Sequence, residues 1–232
     1  MSINETKIRP LSWLKNRLVA KGMFPYRVPL GLYQSLHLYL DLSTQSQVYA
    51  GLWERETYPW LRQAARRAQW VVDVGAGKGE LCLFFAQHST AHRIVAVEPQ
   101  ASETGWIEAN CQLNPPAWRQ RIEIQQKCIG RSTDPGYVAL DDLGLALTES
   151  GFIKVDVDGF EMEVLQSGEH LLREGKVDLL VETHSPQLEK DCVAWLTARG
   201  YECQIVDNAW WRFLIPEQRP LELNRWLWAT QP

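Results

Sequence analysis

VVDVGAGKGE, residues 71–80, decides how this chain folds. Val71–Val74 reads as the end of a buried strand, and Glu80 opens a stretch with helical spacing. Between them Gly75, Gly77 and Gly79 alternate. Glycine reaches positive φ without steric cost and lets a ligand approach the backbone closely. The free N–H groups of the following helix start attract polar or anionic ligand groups.

Three ligand classes use such a loop, and the spacing separates them. A phosphate-binding P-loop needs G-x-x-x-x-G-K-[ST]. Here Gly77-Lys78 is followed by Gly79, and the position five before Gly77 is Val72. A dinucleotide fingerprint needs G-x-G-x-x-G. Counted from Gly75 its last position is Glu80, and counted from Gly77 it is Cys82. The remaining pattern is an acid two positions before G-x-G-x-G, here Asp73-Val-Gly75-Ala-Gly77-Lys-Gly79. It suits a cationic ligand with an amino acid end, S-adenosylmethionine. Ile94-Val-Ala-Val-Glu98-Pro99 ends the next strand, and Glu98 is placed there to accept both hydroxyl protons of an adenosine ribose.

Outward from the loop, short β-branched runs recur at 71–74, 94–97, 122–124, 153–157 and 177–181. Helix-like stretches at 79–88, 102–113, 159–173 and 187–199 lie between most of them. Alternation of this kind predicts an α/β fold with a parallel sheet covered on both faces. Leu36–Leu42 alternates as a further strand, and about Gln47 to Arg67 reads as helical with a break near Pro59. Two late strands, near 202–206 and 211–215, flank the turn signal Asp207-Asn208 and predict an antiparallel hairpin at the sheet edge.

FIKVDVDGFEMEVL, residues 152–165, holds the candidate chemistry. Ile153, Val155 and Val157 alternate with Lys154, Asp156 and Asp158, so the polar face is either wet or lines a cleft. Ligands of parallel sheets bind outside the carboxyl ends of the strands. This fourth strand is expected beside the first, which sets Asp156 and Asp158 over the cleft and leaves Lys154 further back, paired with a carboxylate. The fifth strand ends Val181-Glu182-Thr183-His184-Ser185-Pro186. Its tip brings Glu182 and His184 near Asp158, and an unperturbed imidazole near neutral pKa suits a proton acceptor. Asp156-x-Asp158-Gly159 fails as a calcium loop, because the required acids at 154 and 165 are Lys154 and Leu165. No metal is expected; a looser pairing of Asp158 with Glu182 is not indicated by spacing.

Composition narrows the class. Of 232 residues, 45% are hydrophobic and 22% charged, enough for a packed core. The net charge of −4 gives no global reason to expect nucleic acid. Residues 1–30 nevertheless carry +5 and the remainder −9. Ile8, Leu11, Leu14 and Leu18 recur at helical spacing there, with Lys15 and Arg17 between them. That helix is expected to pack on its own domain or a second copy; a weak peripheral membrane contact is the alternative. Five scattered cysteines without C-x-x-C spacing argue against disulfides and structural zinc. No signal peptide and no apolar run approaching a membrane span is visible, so a cytoplasmic location is expected.

Taken together, VVDVGAGKGELCLFFA, AVEPQ, FIKVDVDGFEMEVLQSGEHLL and DLLVETHS resemble the FkbM-type methyltransferases over roughly residues 45–190. Tyr49-Ala-Gly51-Leu-Trp-Glu54 is similar to the family's approach to the glycine loop. The resemblance implies the seven-stranded class I methyltransferase fold, S-adenosylmethionine as cofactor, and methylation of a hydroxyl on a small molecule, sugar or glycoconjugate. It implies a cofactor set of Asp73, Gly75, Ala76, Gly77, Gly79, Glu98, Pro99, Cys128 and Asp156, and a signature turn of Asp156, Asp158, Gly159 and Glu161. Asp158, His184 and Glu182 are the catalytic candidates, with Asp158 or His184 taking the proton. Lys78 and Asp158 depart from the asparagine and glutamate common in the family.

Residues 1–45 are expected as an extension capping the substrate or contacting a partner copy, and 46–232 as the cofactor-binding domain. The competing readings are a non-catalytic adenosine-ligand binder attached to membrane through residues 8–21, and an RNA methyltransferase. The acidic body and the absence of an Asn/Asp-Pro-Pro-aromatic motif after the fourth strand weigh against base N-methylation. The Trp-rich tail, Trp210, Trp211, Trp226 and Trp228, is read as edge packing or as rings that stack on a sugar.

Overall fold

A computed structural model describes residues 19–131, 133–213 and 225–231. The basic helix expected around Ile8–Leu18 lies outside these residues. The chain runs β1 (Phe24–Arg27), β2 (His37–Leu40), α1 (Leu42–Tyr49), a 3-10 turn at Arg55–Thr57, α2 (Tyr58–Arg67), β3 (Trp70–Val74), α3 (Glu80–His88), β4 (Arg93–Val97) and α4 (Ala101–Gln112). Next come α5 (Pro116–Arg119), β5 (Ile122–Gln125), β6 (Cys128–Ile129), β7 (Tyr137–Val138) and β8 (Ser150–Val155). The chain continues through α6 (Glu161–Ser167), α7 (Glu169–Glu174), β9 (Lys176–Thr183), α8 (Pro186–Thr197), β10 (Glu202–Val206) and β11 (Arg225–Thr230).

Seven strands form the main sheet in the order β10-β11-β9-β8-β3-β4-β5. β5, β4, β3, β8 and β9 are parallel, and β11 inserts antiparallel between β9 and β10. This is the α/β, mostly parallel arrangement the sequence predicts, with the fourth parallel strand β8 against the first, β3. Every residue of β3 is buried, as a central strand covered on both faces requires.

The side-chain period of two divides the apolar residues into two cores. Val71, Phe152, Ile94 and Leu180 face one core, which α1–α4 and the β1–β2 ribbon cover. Val72, Val74, Ile153, Val155, Leu179 and Val181 face the other, covered by α6–α8. Asp73, Lys154 and Glu182 follow Val71, Phe152 and Leu180 on the first face, one step nearer the carboxyl ends. Register sets Asp73 beside Lys154. Both sit at the top of the first core, under the ribbon.

Asn110 of α4 fastens that ribbon to the glycine loop. It accepts from Tyr39 N at 2.7 Å and donates to Lys78 O at 2.9 Å. Asn114 holds His37 by its N–H and its carbonyl. Both asparagines are buried, where an unpaired amide is costly, so the backbone of β2 has a defined seat.

Two local expectations are corrected. The strand expected at 211–215 is not the partner of β10: Trp210–Phe213 form a 3-10 turn, 214–215 lie outside the described residues, and β11 at 225–230 pairs with β10 instead. Pro59 does not break a helix but sits in the first turn of α2, where its missing N–H costs nothing. The interruption falls earlier, between Tyr49 and Arg55. Trp226 and Trp228 are buried on β11, and Trp228 stacks on Trp60 at 5.3 Å between centroids. Packing thus explains these two rings, while Trp210 is exposed. Among the described residues, no helix is long and apolar enough to cross a membrane.

Candidate active site

The carboxyl ends of β3 and β8, the glycine loop and the segment before α2 enclose a cavity of about 460 Å³. That volume lies within the ~300–1,000 Å³ usual for small-molecule sites. Asp73, Gly75, Ala76, Gly77 and Asp156 line it, so five of the predicted cofactor residues meet at one place. Lys154, Tyr33, Trp53, Glu54 and Glu80 also line it. Four carboxylates (Glu54, Asp73, Glu80, Asp156) face two ammonium groups (Lys78, Lys154) across this space. A surplus of negative charge opposes a pyrophosphate and favours a cationic ligand.

The loop glycines have different reasons to be glycine. A Cβ on Gly75 would lie 2.0 Å from the backbone oxygen of Asp156, so the loop and β8 are in contact there. Gly77 has φ +51° and nothing within 4 Å of its would-be Cβ, which leaves its backbone open to the cavity. Gly79 packs on Ile107 of α4 and does not line the cavity. Asp73 is 2% exposed; the Cys82 thiol donates to its Oδ2 at 3.5 Å. Burial pushes its pKa up to about 6, with Lys154 pulling the other way.

Glu98, Pro99 and Cys128 do not line this cavity. Glu98 is buried at the tip of β4, accepting from Gly77 N at 3.0 Å and from Gln100 N at 2.9 Å. It therefore fastens the loop directly. Pro99 is exposed, and Cys128 is half-buried in the small β6–β7 pair.

The polar face of β8 lines the cavity. Lys154 is buried, with Nζ 3.1 Å from Asp156 Oδ2, 3.7 Å from Glu54 Oε2 and 3.9 Å from Glu182 Oε2. Burial alone would lower its pKa; Asp156, Glu54 and Glu182 outweigh that and hold it raised, so it stays an ammonium. The lysine is a counter-ion inside the site.

His184 sits beyond it, at the end of β9. Its Nδ1 contacts Glu161, which is fully buried at the start of α6. Its Nε2 lies 3.7 Å from Asp156 Oδ1, 3.5 Å from Asp158 Oδ1 and 3.7 Å from Glu182 Oε1. Asp158, Glu182 and His184 are therefore assembled as the sequence predicts. The premise of a near-neutral imidazole does not hold, however. Burial lowers its pKa, but the contacts with Glu161 and Glu182 win and push it up to about 10. In this state the ring is an imidazolium and cannot accept a proton at neutral pH.

Glu54 and Tyr33 escaped the sequence reading. Glu54 lies at the end of the quoted Tyr49–Glu54 stretch, but it reaches Lys154 from a left-handed backbone position, φ 44°, that no periodic pattern marks. Tyr33 comes from the ribbon turn, which carried no motif.

The family model of the FkbM methyltransferase domain matches residues 117–203. The match takes in the 152–165 signature and the β9 tip, and shows the resemblance drawn from those motifs; the glycine loop lies outside it. No curated protein matches the chain. Among solved structures, the methyltransferase FkbM from Methylobacillus flagellatus KT aligns with a TM-score of 0.56 at 18% identity. The alignment covers 86% of this chain but 57% of that one. Precorrin-6y C5,15-methyltransferase from Geobacter metallireducens aligns with a TM-score of 0.49 at 16% identity, covering 76% of this chain and 87% of that one. At such identities the FkbM structure shows a shared fold, that of the class I methyltransferases.

Proposed function

We propose that the chain is an S-adenosylmethionine-dependent O-methyltransferase acting on a hydroxyl of a small molecule, sugar or glycoconjugate. One observation carries the reading. Two motifs about 80 residues apart in sequence, the glycine loop and the β8 signature, open onto one acid-rich cavity. Asp73 and Asp156 would face the ligand's cationic groups, Gly75–Gly77 would lie along it, and Glu98 would hold the ribose. When bound, the cofactor supplies an electrophilic methyl carbon on sulfur: the C–S bond breaks as the C–O bond forms, and the sulfonium leaves as a neutral thioether.

The chain's own residues handle the acceptor. The hydroxyl proton would go to a carboxylate; Asp158 does not line the cavity, but it lies two residues beyond Asp156, which does, and its side chain is 80% exposed and so open to an incoming acceptor. His184 as an imidazolium would position Asp158 and Asp156 by charge. Lys154 holds Asp156 and Glu182 in place. Tyr33, Thr44 and Trp53 wall the cavity from the amino-terminal side, which fits an acceptor cap built from that segment.

The acid surplus also weighs against an RNA acceptor, whose phosphates it would repel. The test is calorimetry with S-adenosylmethionine and S-adenosylhomocysteine, then a mass-spectrometric screen for methyl transfer to sugars and hydroxylated metabolites. Binding with a +14 Da hydroxylated product is expected. Affinity for neither ligand would sink the reading, and binding without transfer to any acceptor would favour the non-catalytic alternative.

A further inference from the structure

Two acid clusters share Asp156, and Glu182 of the first also lies 3.7 Å from His184 of the second. Glu54, Asp156 and Glu182 surround the Lys154 ammonium, so that cluster already contains its cation. Asp156, Asp158 and His184 form the second, and their ligand atoms all lie within 4.8 Å of one another. It differs in one respect: His184 is 7% exposed, and its Nε2 is buried and makes no hydrogen bond. Yet that nitrogen is aimed at three carboxylate oxygens at 3.5, 3.7 and 3.7 Å. Those separations are long for a hydrogen bond. They match ligand atoms about a shared ion: bonds of about 2.0–2.2 Å at angles between tetrahedral and trigonal put such atoms roughly 3.3–3.7 Å apart.

We infer that His184 Nε2, Asp156 Oδ1, Asp158 Oδ1 and Glu182 Oε1 form a binding site for one divalent first-row transition-metal ion. The other ring nitrogen supports it. Glu161, buried beneath the ring, contacts Nδ1 and so fixes ring orientation; in the ion-free chain Nε2 carries a proton, which the incoming ion displaces to solvent, leaving that nitrogen as its ligand atom. Carboxylate partners of this kind orient metal-binding histidines. One imidazole with three carboxylates suits Mn²⁺ to Zn²⁺ better than Mg²⁺, which prefers an all-oxygen shell. Asp158 at the exposed rim provides the entry path and can turn its carboxylate inward.

The site's chemical role rests on the methyl-transfer reading: an ion there would coordinate the acceptor oxygen next to Asp156 and make its hydroxyl more acidic. Binding itself does not rest on it. The test uses the full chain, stripped with chelator, with neither cofactor nor acceptor present. Mn²⁺ binding is followed by calorimetry and by loss of the free-Mn²⁺ electron paramagnetic resonance signal. One Mn²⁺ per chain, displaced by Zn²⁺ and bound more tightly than Mg²⁺, is expected. Asp158→Asn, at an exposed position, should weaken it by about 10- to 100-fold or more, and Glu161→Gln, which touches no ion, by a comparable factor. Circular dichroism checks that each variant is folded.

No Mn²⁺ bound by the folded wild-type chain at millimolar concentration would overturn the assignment. So would equal Mg²⁺ and Mn²⁺ affinity, or binding that both substitutions leave unchanged. S-adenosylmethionine affinity measured in chelator separates failure of this site from failure of the methyl-transfer reading.

Discussion

Gly75 lies directly against Asp156: a Cβ on the glycine would come within 2.0 Å of the aspartate's backbone oxygen. The first glycine of the loop is therefore a packing residue that locks the loop onto the signature strand, while Gly77 is the one that leaves space. Alanine substitution should separate the two roles. Gly75→Ala forces backbone apart and should cost about 3 kcal/mol or more. Gly77→Ala meets no atoms and pays only for its positive φ, about 1–2 kcal/mol, yet should lose most S-adenosylmethionine affinity. Urea unfolding and calorimetry on both variants check this; equal destabilisation would contradict the assignment.

Asp73 is a buried acid whose charge is costly. Its folded pKa of about 6 is above its ordinary 3.8, with burial as the first cause. A raised acid contributes stability that is complete below about 3.8 and is lost as pH rises through about 6. Asp73→Asn, a neutral mimic of the protonated form, should then gain up to ~3 kcal/mol at pH 8 and nothing at pH 3.5. The same variant should bind S-adenosylmethionine poorly, and wild-type affinity should fall as pH drops below about 6. Denaturant titrations from pH 4 to 8 measure the first effect. A variant less stable than wild type at pH 8 would show that a partner, such as Lys154, more than repays the desolvation.

The parts legible in the sequence are those set by local pattern and by strand order. The strand–glycine–helix step at 71–80 lies within one loop, and β8 joins β3 as the fourth strand joins the first in the common 3-2-1-4-5 order of doubly wound sheets. The β10 partner was not legible: Asp207-Asn208 promises a short turn, but the pairing strand begins at Arg225, where Trp226 and Trp228 alternate with Leu227 and Ala229. Proximity to Asp158 and the near-neutral pKa of an ordinary imidazole point to His184 as a base. Its protonation depends on Glu161, buried 23 positions earlier, and no spacing rule couples the two. Glu54 joins the Lys154 cluster through one left-handed residue, a backbone event without a sequence period.

Lys154 should be more important to folding than its position on a strand suggests. Glu54, Asp156 and Glu182 lie around its ammonium, all within 3.9 Å, and Glu54 and Glu182 are buried. Lys154→Met keeps the volume and removes the charge, which should cost about 3–5 kcal/mol at pH 7. Because the loss comes from uncompensated carboxylates, lowering the pH toward 5 should recover part of it. Unfolding at both pH values tests this, and a pH-independent loss would point to packing instead.

Glu98 has two claims on its carboxylate. Gly77 N and Gln100 N already donate to its two oxygens, and a carboxylate offers roughly four acceptor positions, so about two remain for a ribose diol. Glu98→Gln keeps the size but puts an amide group against one of those N–H donors. The variant should lose about 1–2 kcal/mol of stability. Its effect on ligand binding discriminates the two roles. If Glu98 holds the ribose, affinities for S-adenosylmethionine and S-adenosylhomocysteine should fall by the same factor, about 10- to 100-fold, since both carry the same adenosine and a hydrogen bond to a charged group contributes about 1.5–3 kcal/mol. If Glu98 acts only by fastening Gly77, the loop beside the sulfur is what moves, and the sulfonium ligand should lose more than the neutral thioether. Calorimetry with the two ligands distinguishes these outcomes, and unchanged affinity for both would remove Glu98 from the cofactor site.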